Sequence, residues 1–325
     1  MKISNLMEDH HSAGEDTFAS DIRDGLSAPT KSISAKYFYD DKGSELFQKI
    51  TQVDDYYLTR KEYSILSDIQ TMLPQKLGLK EIDIVELGVG DGHKSRLLID
   101  GFLAEGCEVK FYPIDISAKA MELLEINIHE RAGLEIEGIV AEYFEGLSHV
   151  SAKSDRNQLV LFLGSNIGNF DRGFSLEFLK SLRTSLDKGS YALIGFDLKK
   201  DVHVLSKAYN DGAGYTEQFN LNLLRRINNE LGGRFDIDSF QHHGFYNPRL
   251  GTMESYLVSL KDQDVYIERF GKSFHFDEFE PIHLEYSFKF LESDINRLAE
   301  ESGFRIVEHF SDSDHYFIDS LWEAI

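Results

Sequence analysis

A cluster of glycines follows a short apolar segment in the run Glu86-Leu87-Gly88-Val89-Gly90-Asp91-Gly92. Glycine allows the backbone to turn tightly and to approach a bound ligand without the clash that a Cβ would cause. The next apolar segment ends in Pro113-Ile114-Asp115-Ile116, so Asp115 falls at the end of a second strand. A carboxylate there can accept hydrogen bonds from both hydroxyls of a ribose. The two features together predict a site for a nucleotide-type ligand.

The spacing of the glycines narrows the kind of ligand. A dinucleotide fingerprint requires G-x-G-x-x-G, and read from Gly88 its last position is His93. The pattern is instead E-x-G-x-G-x-G, which is typical of class I methyltransferases that bind S-adenosylmethionine. That cofactor has a ribose but no pyrophosphate. A nicotinamide-dependent oxidoreductase is the main alternative for this segment, and a purely structural turn with Asp115 capping the next helix is another.

Alternating strands and helices are predicted on both sides of this turn. Strands rich in β-branched residues alternate with helical segments at a spacing that predicts a parallel, doubly wound α/β sheet. A helical stripe that includes Leu46, Phe47 and Ile50 precedes them, and the first 30 residues are predicted to be frayed. The predicted strands are 82–87, 109–116, 134–141, 159–163 and 191–196, with helices from the glycine turn to 103 and at 118–131 and 176–186.

The alternation breaks after residue 198 and resumes after Phe290, which predicts an inserted α+β substrate-binding domain. A helix at 219–231 and an antiparallel pair formed by 255–260 and 265–270 are expected within it. A helix to Ser302 and strands at 305–310 and 316–321 then complete the α/β part. The predicted division is 1–60 as a helical part of the substrate domain, 61–198 as the α/β domain, 199–286 as the insertion and 287–325 as the C-terminal part of the α/β domain.

Composition restricts the class of partner. The chain has 34 basic and 56 acidic residues, a formal net charge of -22, which repels phosphate backbones and anionic lipids. We therefore expect no nucleic acid or membrane partner. A single cysteine, Cys107, excludes an internal disulfide and fits a reducing compartment. With no signal-like or membrane-spanning apolar run, a cytoplasmic enzyme is expected, and a monomer is compatible with the sequence.

Metal chemistry is not expected from this sequence. The adjacent pairs His10-His11 and His242-His243 would point apart on an extended chain, and no cysteine or carboxylate spacing supports them. Cys107 has no visible activating partner and is expected to be a passive residue.

Further runs resemble one known family. They are Phe38–Phe47, Tyr56–Arg60, Phe162–Phe170 and Ala208–Asp211. In order, from about Tyr37 to the C-terminus, the chain resembles the histidine Nα-methyltransferases of ergothioneine biosynthesis, which make the trimethylated betaine hercynine. The resemblance implies a class I methyltransferase Rossmann-like fold, S-adenosylmethionine as cofactor and a free amino acid as substrate, with histidine the best candidate.

The resemblance also implies particular cofactor residues. Gly88, Lys94 and Asp115 match the family's S-adenosylmethionine contacts, and Gly90 belongs to the same turn. Glu142 and Tyr143 occupy the position beside the adenine. The family more often has Gly-Asp-Phe where this chain has Ala141-Glu142-Tyr143.

For the amino acid, the resemblance implies contacts from separate parts of the chain. Tyr56 and Asn169 would hold the α-amino end, Asn169 and Tyr209 the carboxylate, and Tyr39 would lie beside the amine. Tyr39, Tyr56 and Asn169 are therefore the predicted catalytic residues. Without the resemblance, each tyrosine could equally be a packed residue with a satisfied hydroxyl.

The side chain of the substrate is assigned to Glu285 and Ser287. Residues two apart on a strand face the same side, so these two would converge on one surface. An imidazole has two ring nitrogens, which a carboxylate and a hydroxyl can satisfy together. Ser255 stands where family members usually have a methionine, so a tryptophan or tyrosine Nα-methyltransferase stays an alternative. A non-catalytic, cofactor-binding scaffold is the alternative from another class.

Overall fold

A computed structural model of the chain describes residues 1–7 and 17–325, so His10 and His11 lie outside the described residues. The chain divides into two compact units. Unit 1 comprises the described residues of Met1–Ser12 together with Leu58–Lys199 and Lys289–Ile325. Unit 2 comprises the described residues of Ala13–Tyr57 together with Lys200–Phe288. Within the described ranges, no helix combines the length and apolarity needed to cross a bilayer.

Unit 1 is built on an eight-stranded sheet with the order β1-β4-β3-β2-β5-β6-β13-β12. Its strands are β1 Lys2–Asn5, β2 Glu81–Leu87, β3 Glu108–Asp115, β4 Leu134–Val140, β5 Gln158–Phe162, β6 Tyr191–Asp197, β12 Phe304–Ser311 and β13 Phe317–Ala324. Its helices are α3 Tyr57–Ile69, α4 Met72–Leu77, α5 His93–Ala104, α6 Ala118–Asn127, α7 Tyr143–Ser151, α8 Arg172–Ser185 and α11 Glu292–Ser302.

The strand sequences explain this arrangement. All five residues of β5 and six of the seven in β2 are buried, as expected of central strands covered by helices on both faces. Strands β1 to β6 pair in parallel, whereas β13 pairs antiparallel with both β6 and β12. The order changes direction at β2 and β5, whose carboxyl ends therefore open onto the crevice where such sheets bind ligands.

The predicted α/β alternation is confirmed. Most strand ends are displaced by one residue, and β13 continues three residues beyond its predicted end at Leu321. The helical stripe is also confirmed, because Leu46 and Ile50 are buried on the helix Asp41–Thr51. The prediction that the first 30 residues are frayed is wrong for those described. Lys2–Asn5 pair with β4 at the sheet edge, and Thr17–Ser27 form a helix with four buried apolar residues. A four-residue strand is too short to show a periodicity, whereas Phe18, Ile22 and Leu26 have the spacing of a helix face, a signal that the prediction missed.

The described residues of unit 2 form four α-helices and two small sheets. Its helices are α1 Thr17–Ser27, α2 Asp41–Thr51, α9 Val202–Ala208 and α10 Tyr215–Leu231, and its strands are β7 Phe240–Asn247, β8 Thr252–Ser259, β9 Gln263–Ile267, β10 Lys272–Phe276 and β11 Pro281–Phe288. One sheet has the order β11-β8-β7 and the other pairs β10 with β9. Apolar residues of α1, α2 and α10 share one core with residues of both sheets.

The antiparallel pair predicted for 255–260 and 265–270 is wrong. Thr252–Ser259 form the centre of the three-stranded sheet, whereas Gln263–Ile267 pair with β10 in the other sheet. The short polar connection suggested a hairpin, but strand partners are decided by packing against the helices, which local sequence does not contain.

An acid-sensitive contact holds β1 to the rest of unit 1. Glu137 on β4 accepts hydrogen bonds from Ser4 Oγ at 2.8 Å and from Lys153 Nζ at 2.5 Å. Although burial opposes the shift, the hydrogen bonds from Lys153 and Ser4 lower the pKa of Glu137 to about 2. A lowered folded-state pKa stabilises the fold fully above the unfolded pKa, and this contribution is lost as the pH falls towards the folded pKa.

We therefore expect Glu137→Gln to lower the free energy of unfolding by about 1 kcal/mol at pH 7. The difference from wild type should shrink below about pH 4.5, as measured by urea unfolding between pH 3 and pH 8. The control is Glu135→Gln on the same strand, because Glu135 is 74% exposed and its pairing with Lys110 is worth little. A Glu137→Gln deficit that did not change with pH would contradict this account.

Candidate active site

The tight glycine turn predicted after β2 is present, and its backbone is left-handed at all three glycines. Gly88, Gly90 and Gly92 have φ values of 73°, 58° and 69°. L-residues with side chains adopt this region at a cost of about 1–2 kcal/mol, so glycine is the residue for all three positions. A Cβ on Gly88 would lie 3.0 Å from the hydroxyl oxygen of Tyr143, whereas one on Gly90 would meet no protein atom within 4 Å. The turn thus leaves open space beside Gly90.

Asp115 lies at the carboxyl end of β3, adjacent to this turn. Its Oδ1 accepts a hydrogen bond from the backbone N–H of Ser117 at 2.9 Å. Burial raises the pKa of Asp115, and hydrogen bonds from the backbone of Ser117 and Gly90 partly oppose that change. The amide contact from Gly90 brings the carboxylate to the glycine turn, where the two hydroxyls of a ribose can be bound.

Glu86, the residue that opens the motif, is buried beneath the turn. Ser95 Oγ donates a hydrogen bond to Glu86 Oε2. Burial raises the pKa of Glu86 to about 8, against the effects of Ser95 and Lys94. This acid therefore ties the end of β2 to the first turn of α5 and remains largely protonated at neutral pH.

Lys94 lies in the first turn of α5 and has a partner that the sequence did not reveal. Its Nζ donates to Glu62 Oε2 at 2.6 Å, and the backbone N–H of Gly164 donates to Glu62 Oε1 at 2.5 Å. Pairing with Glu62 raises the pKa of Lys94, although burial opposes the shift. Glu62 belongs to α3, and only its place in the run Tyr56-Tyr57-Leu58-Thr59-Arg60-Lys61-Glu62 could have drawn attention to it.

Gly164 and Asn166 extend the same region from the loop after β5. A Cβ on Gly164 would lie 3.5 Å from Lys94 Nζ, and one on Gly88 would lie 3.7 Å from Asn166 Nδ2. Ser165 adopts a φ of 57°, and its Oγ accepts a hydrogen bond from the backbone N–H of Asp197 at 2.9 Å. Sequence reasoning used this loop only for Asn169 and missed Asn166, whose amide lies nearer the glycine turn.

Tyr143 and Glu142 differ in how far they enter this region. The Tyr143 ring packs edge-on against Phe162, with ring centroids 5.9 Å apart, and burial raises its pKa. Glu142 is exposed and precedes α7 in an extended conformation, with no side-chain capping bond. The family's more usual phenylalanine would lack the hydroxyl that Tyr143 directs at Gly88. Asn169 ends the short 3₁₀ helix Asn166–Asn169 and is exposed.

A second group of predicted site residues lies on one face of the three-stranded sheet in unit 2. Glu285 on β11 is directly opposite Ser255 on β8, and Ser287 is opposite Met253. Directly opposite residues share a face, so Glu285, Ser287 and Ser255 lie on the same side of the sheet. The Tyr209 hydroxyl donates to Ser287 Oγ at 2.7 Å. The expectation that Glu285 and Ser287 converge is therefore met within the sheet, and Tyr209 joins them.

Tyr209 is held in place by His242. His242 Nε2 lies 2.9 Å from the backbone oxygen of Tyr209, and Nδ1 lies 2.7 Å from Asn220 Nδ2. An amide nitrogen only donates, so Nδ1 accepts and Nε2 carries the proton that Tyr209 accepts. Burial lowers the pKa of His242, which favours this neutral form. His243 faces the other side of the sheet and stacks on Phe245.

Tyr39 and Tyr56 are brought together through aromatic contacts. Phe47 on α2 contacts both rings edge-on, with centroid distances of 5.5 Å to Tyr39 and 6.3 Å to Tyr56. Phe219 on α10 packs against Tyr39 at 5.7 Å. The Tyr39 side chain is 43% exposed. Because Phe47 and Phe219 pack against it from two sides, the partly exposed Tyr39 ring presents a face of fixed orientation.

The predicted residues thus fall into three groups. Gly88, Gly90, Lys94, Asp115 and Tyr143 surround the crevice of unit 1, while Glu142 and Asn169 are exposed residues of that unit. Tyr209, Ser255, Glu285 and Ser287 form the sheet group of unit 2, and Tyr39 and Tyr56 form its aromatic group.

Among the described residues, one set of possible metal ligands has ligand atoms within 4.8 Å of one another. The three residues are Asp262, His275 and Asp277, and all of them are exposed. The absence of a metal site stays a prediction.

A Rossmann-like sheet with a glycine turn at its switch point and a carboxylate at the end of β3 defines a class I methyltransferase. The residues of the crevice fit S-adenosylmethionine: there is open space at Gly90, the Asp115 carboxylate could accept from a ribose, and the Lys94 ammonium could pair with a carboxylate. The family model described as "Histidine-specific methyltransferase, SAM-dependent" matches residues 18–324. The chain belongs to this family and is a methyltransferase that uses S-adenosylmethionine.

Individual relatives agree with this assignment. The chain is 34% identical over 293 residues to the histidine N-alpha-methyltransferase of Mycolicibacterium smegmatis, covering 90% of each protein. It is 33% identical over 313 residues to the protein of the same name from Mycobacterium tuberculosis, covering 96% of each. It is 29% identical to the ergothioneine biosynthesis protein 1 of Schizosaccharomyces pombe, where the match covers 86% of this chain and 37% of that longer protein.

The open space at Gly90 can be tested with a matched glycine. Gly90→Ala and Gly78→Ala each place a side chain at a positive φ with no protein atom within 4 Å, so both should cost about 1 kcal/mol of stability. Only Gly90→Ala should weaken binding of S-adenosylhomocysteine, by about tenfold or more, since its methyl group would occupy the cofactor crevice. Calorimetric titration checks this expectation. Unchanged binding by Gly90→Ala would show that the cofactor does not contact this turn.

Proposed function

We propose that this enzyme methylates the α-amine of L-histidine, in successive steps, to Nα,Nα,Nα-trimethylhistidine (hercynine). Membership of the histidine-specific family and the names of the two mycobacterial relatives support the substrate and the position of methylation. One observation in this chain carries the proposal. Glu285 and Ser287 share a face of the sheet in unit 2, and Tyr209 donates its hydroxyl hydrogen bond to Ser287.

The polar face suits an imidazole better than other aromatic side chains. A neutral imidazole has one N–H donor and one nitrogen acceptor, and Glu285 can accept from the first while the Ser287 hydroxyl donates to the second. The phenol of tyrosine and the indole of tryptophan each have one polar group. Either would pair with fewer of these groups than an imidazole does, and each hydrogen bond to the ligand that is not made forgoes about 1 kcal/mol. Ser255, opposite Glu285, adds a further hydroxyl to this wall.

We assign the amino-acid end to Tyr56, Asn169 and Tyr209. Tyr56 and Asn169 would orient the α-amine, and Asn169 with Tyr209 would bind the carboxylate, as the family resemblance implies. The hydroxyl of Tyr209 has one proton, which it donates to Ser287 Oγ at 2.7 Å, so binding of the carboxylate would turn that donor away from Ser287. The carboxylate contact and the ring contact would therefore be adjacent. The rigid support of Tyr209 by His242 favours accurate positioning, on which a displacement reaction depends.

Bound S-adenosylmethionine supplies a methyl group activated by its sulfonium. The residues of the chain must present an unprotonated amine in line with it, although a free α-amino group has a pKa of about 8. We assign to Tyr56 and Asn169 the orientation of the amine lone pair, and to Tyr39 with water the removal of the proton. A tyrosine with an ordinary pKa of about 10 is a poor base at neutral pH, so Tyr39 would relay the proton instead of keeping it.

The aromatic group of unit 2 is suited to the later steps. A methylated ammonium is attracted to the face of an aromatic ring, by about 0.5–2 kcal/mol depending on desolvation. Tyr39 is exposed and is fixed by Phe47 and Phe219, so its ring could contact the growing ammonium without losing its orientation. On the cofactor side, we assign Gly88, Gly90, Lys94 and Asp115 as contacts, with Tyr143 and Glu142 beside the adenine.

The function is tested by incubating the purified enzyme with S-adenosylmethionine and a panel of free amino acids that includes histidine, tryptophan and tyrosine. We expect histidine alone to gain one, two and three methyl groups, and fragmentation in a mass spectrometer to locate all of them on the α-nitrogen. Nα,Nα-dimethylhistidine should also be accepted and converted to the trimethylated product. Methylation of a ring nitrogen, or preference for another amino acid, would contradict the proposal.

Glu285→Ala separates recognition of the ring from binding of the cofactor. Loss of a hydrogen bond to a charged group should raise the KM for histidine by about 10-fold to 100-fold, while the affinity for S-adenosylhomocysteine stays within twofold of wild type. The control is Tyr286→Phe, because the adjacent residue faces the other side of the sheet and should leave both quantities unchanged. Equal losses of histidine and cofactor binding in Glu285→Ala would indicate a structural role for Glu285.

A further inference from the structure

Glu62, on α3 of unit 1, contacts two parts of the cofactor region at once. It accepts hydrogen bonds from Lys94 Nζ at 2.6 Å and from the backbone N–H of Gly164 at 2.5 Å. Its side chain is 1% exposed, whereas that of Lys94 is 25% exposed. One buried carboxylate therefore joins the first turn of α5 to the loop after β5. Lys94 is the more exposed member of the pair.

The pairing fixes where the Lys94 ammonium lies. Its Nζ is 3.5 Å from the position of a Cβ on Gly164, at the edge of the crevice. An ammonium has three donors, so two remain for a ligand after Glu62 accepts one. A lysine side chain that is already ordered loses less rotamer entropy when a carboxylate binds to it. Without Glu62, the same side chain would be a flexible cation in a largely desolvated position.

A second acid, Asp319 on β13, lies behind the pair. Asp319 is directly opposite Gly195 on β6, and a Cβ on Gly195 would lie 2.5 Å from Glu62 Oε1. Asp319 is fully buried, and neither of its carboxyl oxygens has a hydrogen-bond partner among the described residues. Burial raises the pKa of Asp319 well above its usual range, the charge of Glu62 adds to the shift, and Lys94 opposes it.

Several buried acids surround Lys94. Besides Glu62 and Asp319, Glu86 acts on Lys94, and burial raises the pKa of Glu86 to about 8. Glu62 is the acid that forms an ion pair with Lys94, so it is the buried counter-ion that fixes the ammonium. A further buried charge would carry an uncompensated desolvation cost, which favours the neutral form of Asp319.

We propose that Glu62, anchored by the backbone N–H of Gly164, is a positioning residue that fixes Lys94 to receive the carboxylate of S-adenosylmethionine. This inference rests on the proposed role of Lys94 as a cofactor contact. The Glu62 oxygens accept hydrogen bonds from Lys94 and Gly164, and the side chain is 1% exposed, so Glu62 itself touches no reacting atom. Its effect on the reaction is therefore exerted through Lys94.

A double-mutant cycle tests the proposal with S-adenosylhomocysteine as the titrated ligand, by calorimetry at pH 7.5 on the full chain. Lys94→Met should weaken binding by about 30-fold or more, because it removes a charged hydrogen-bond donor. Glu62→Gln should weaken binding by about 10-fold. In the double variant the loss should equal that of Lys94→Met alone, since Glu62 acts through Lys94. With saturating histidine, Glu62→Gln should raise the KM for S-adenosylmethionine, with kcat within threefold of wild type.

The outcomes separate this inference from the assignment on which it rests. If Lys94→Met binds S-adenosylhomocysteine like wild type, the cofactor role of Lys94 fails, and the inference fails with it. If Lys94→Met loses affinity while Glu62→Gln does not, or if the two losses add in the double variant, Lys94 keeps its role and Glu62 is structural. Should Glu62→Gln not fold, Glu62→Asp takes its place. The shorter side chain cannot reach both partners, so wild-type affinity in Glu62→Asp would overturn the proposal.

Asp319→Asn tests the neutral acid separately. An asparagine has nearly the shape of a protonated aspartic acid, so the affinity for S-adenosylhomocysteine should stay within twofold of wild type. If Asp319 were an ionised second counter-ion of Lys94, the substitution would change that affinity by about 10-fold or more, which would refute the neutral state. Circular dichroism and the thermal midpoint of each variant confirm that the comparison is made between folded proteins.

Discussion

The left-handed turn after β2 is the constraint on which the cofactor side of this methyltransferase depends. Three glycines with positive φ allow the chain to leave the sheet and enter α5 without side chains above the turn. Glu86 is fixed to Ser95 below it, and Asp115 is held beside it by backbone amides. The groups expected to contact the cofactor lie around this bend. A residue with a Cβ in place of one of these glycines would have to strain the backbone or fill the crevice.

Because most of unit 2 is inserted within the sequence of unit 1, the chain leaves unit 1 after Lys199 and returns to it at Lys289. Contacts between these two points join the separated parts of unit 1. Phe290 donates its backbone N–H to Asp197 at 2.9 Å, and Leu198 and Phe290 form a parallel bridge. Beside them, Lys289 and Asp197 form an ion pair at 2.8 Å with both side chains fully buried. Loss of one partner would leave an uncompensated buried charge, at a cost of about 3–5 kcal/mol. This pair therefore holds the returning chain at the end of β6.

In unit 2, the proposed recognition of the substrate depends on the register of one small sheet. The irregularity between His283 and Glu285 on β11 moves Glu285 and Ser287 to the face that carries Ser255. A slip of one residue would turn that face to the opposite side. Tyr209 reaches the same face from the end of α9, and His242 fixes it through its backbone oxygen. A polar recognition surface is thus assembled from residues far apart in the chain.

The sequence by itself determined the class of the fold and the glycine turn, because apolar periodicity and glycine positions are local properties. Its resemblance to a known family implied most of the proposed contacts. It also indicated that Glu285 and Ser287 share a face, which follows from the period of a strand. Tertiary structure alone decided the pairing of β8 with β7 and β11, the place of Lys2–Asn5 in the central sheet, and the contacts of Glu62 with Lys94 and Gly164. These depend on long-range packing and on the desolvation of charges, and neither leaves a periodic signal in the sequence.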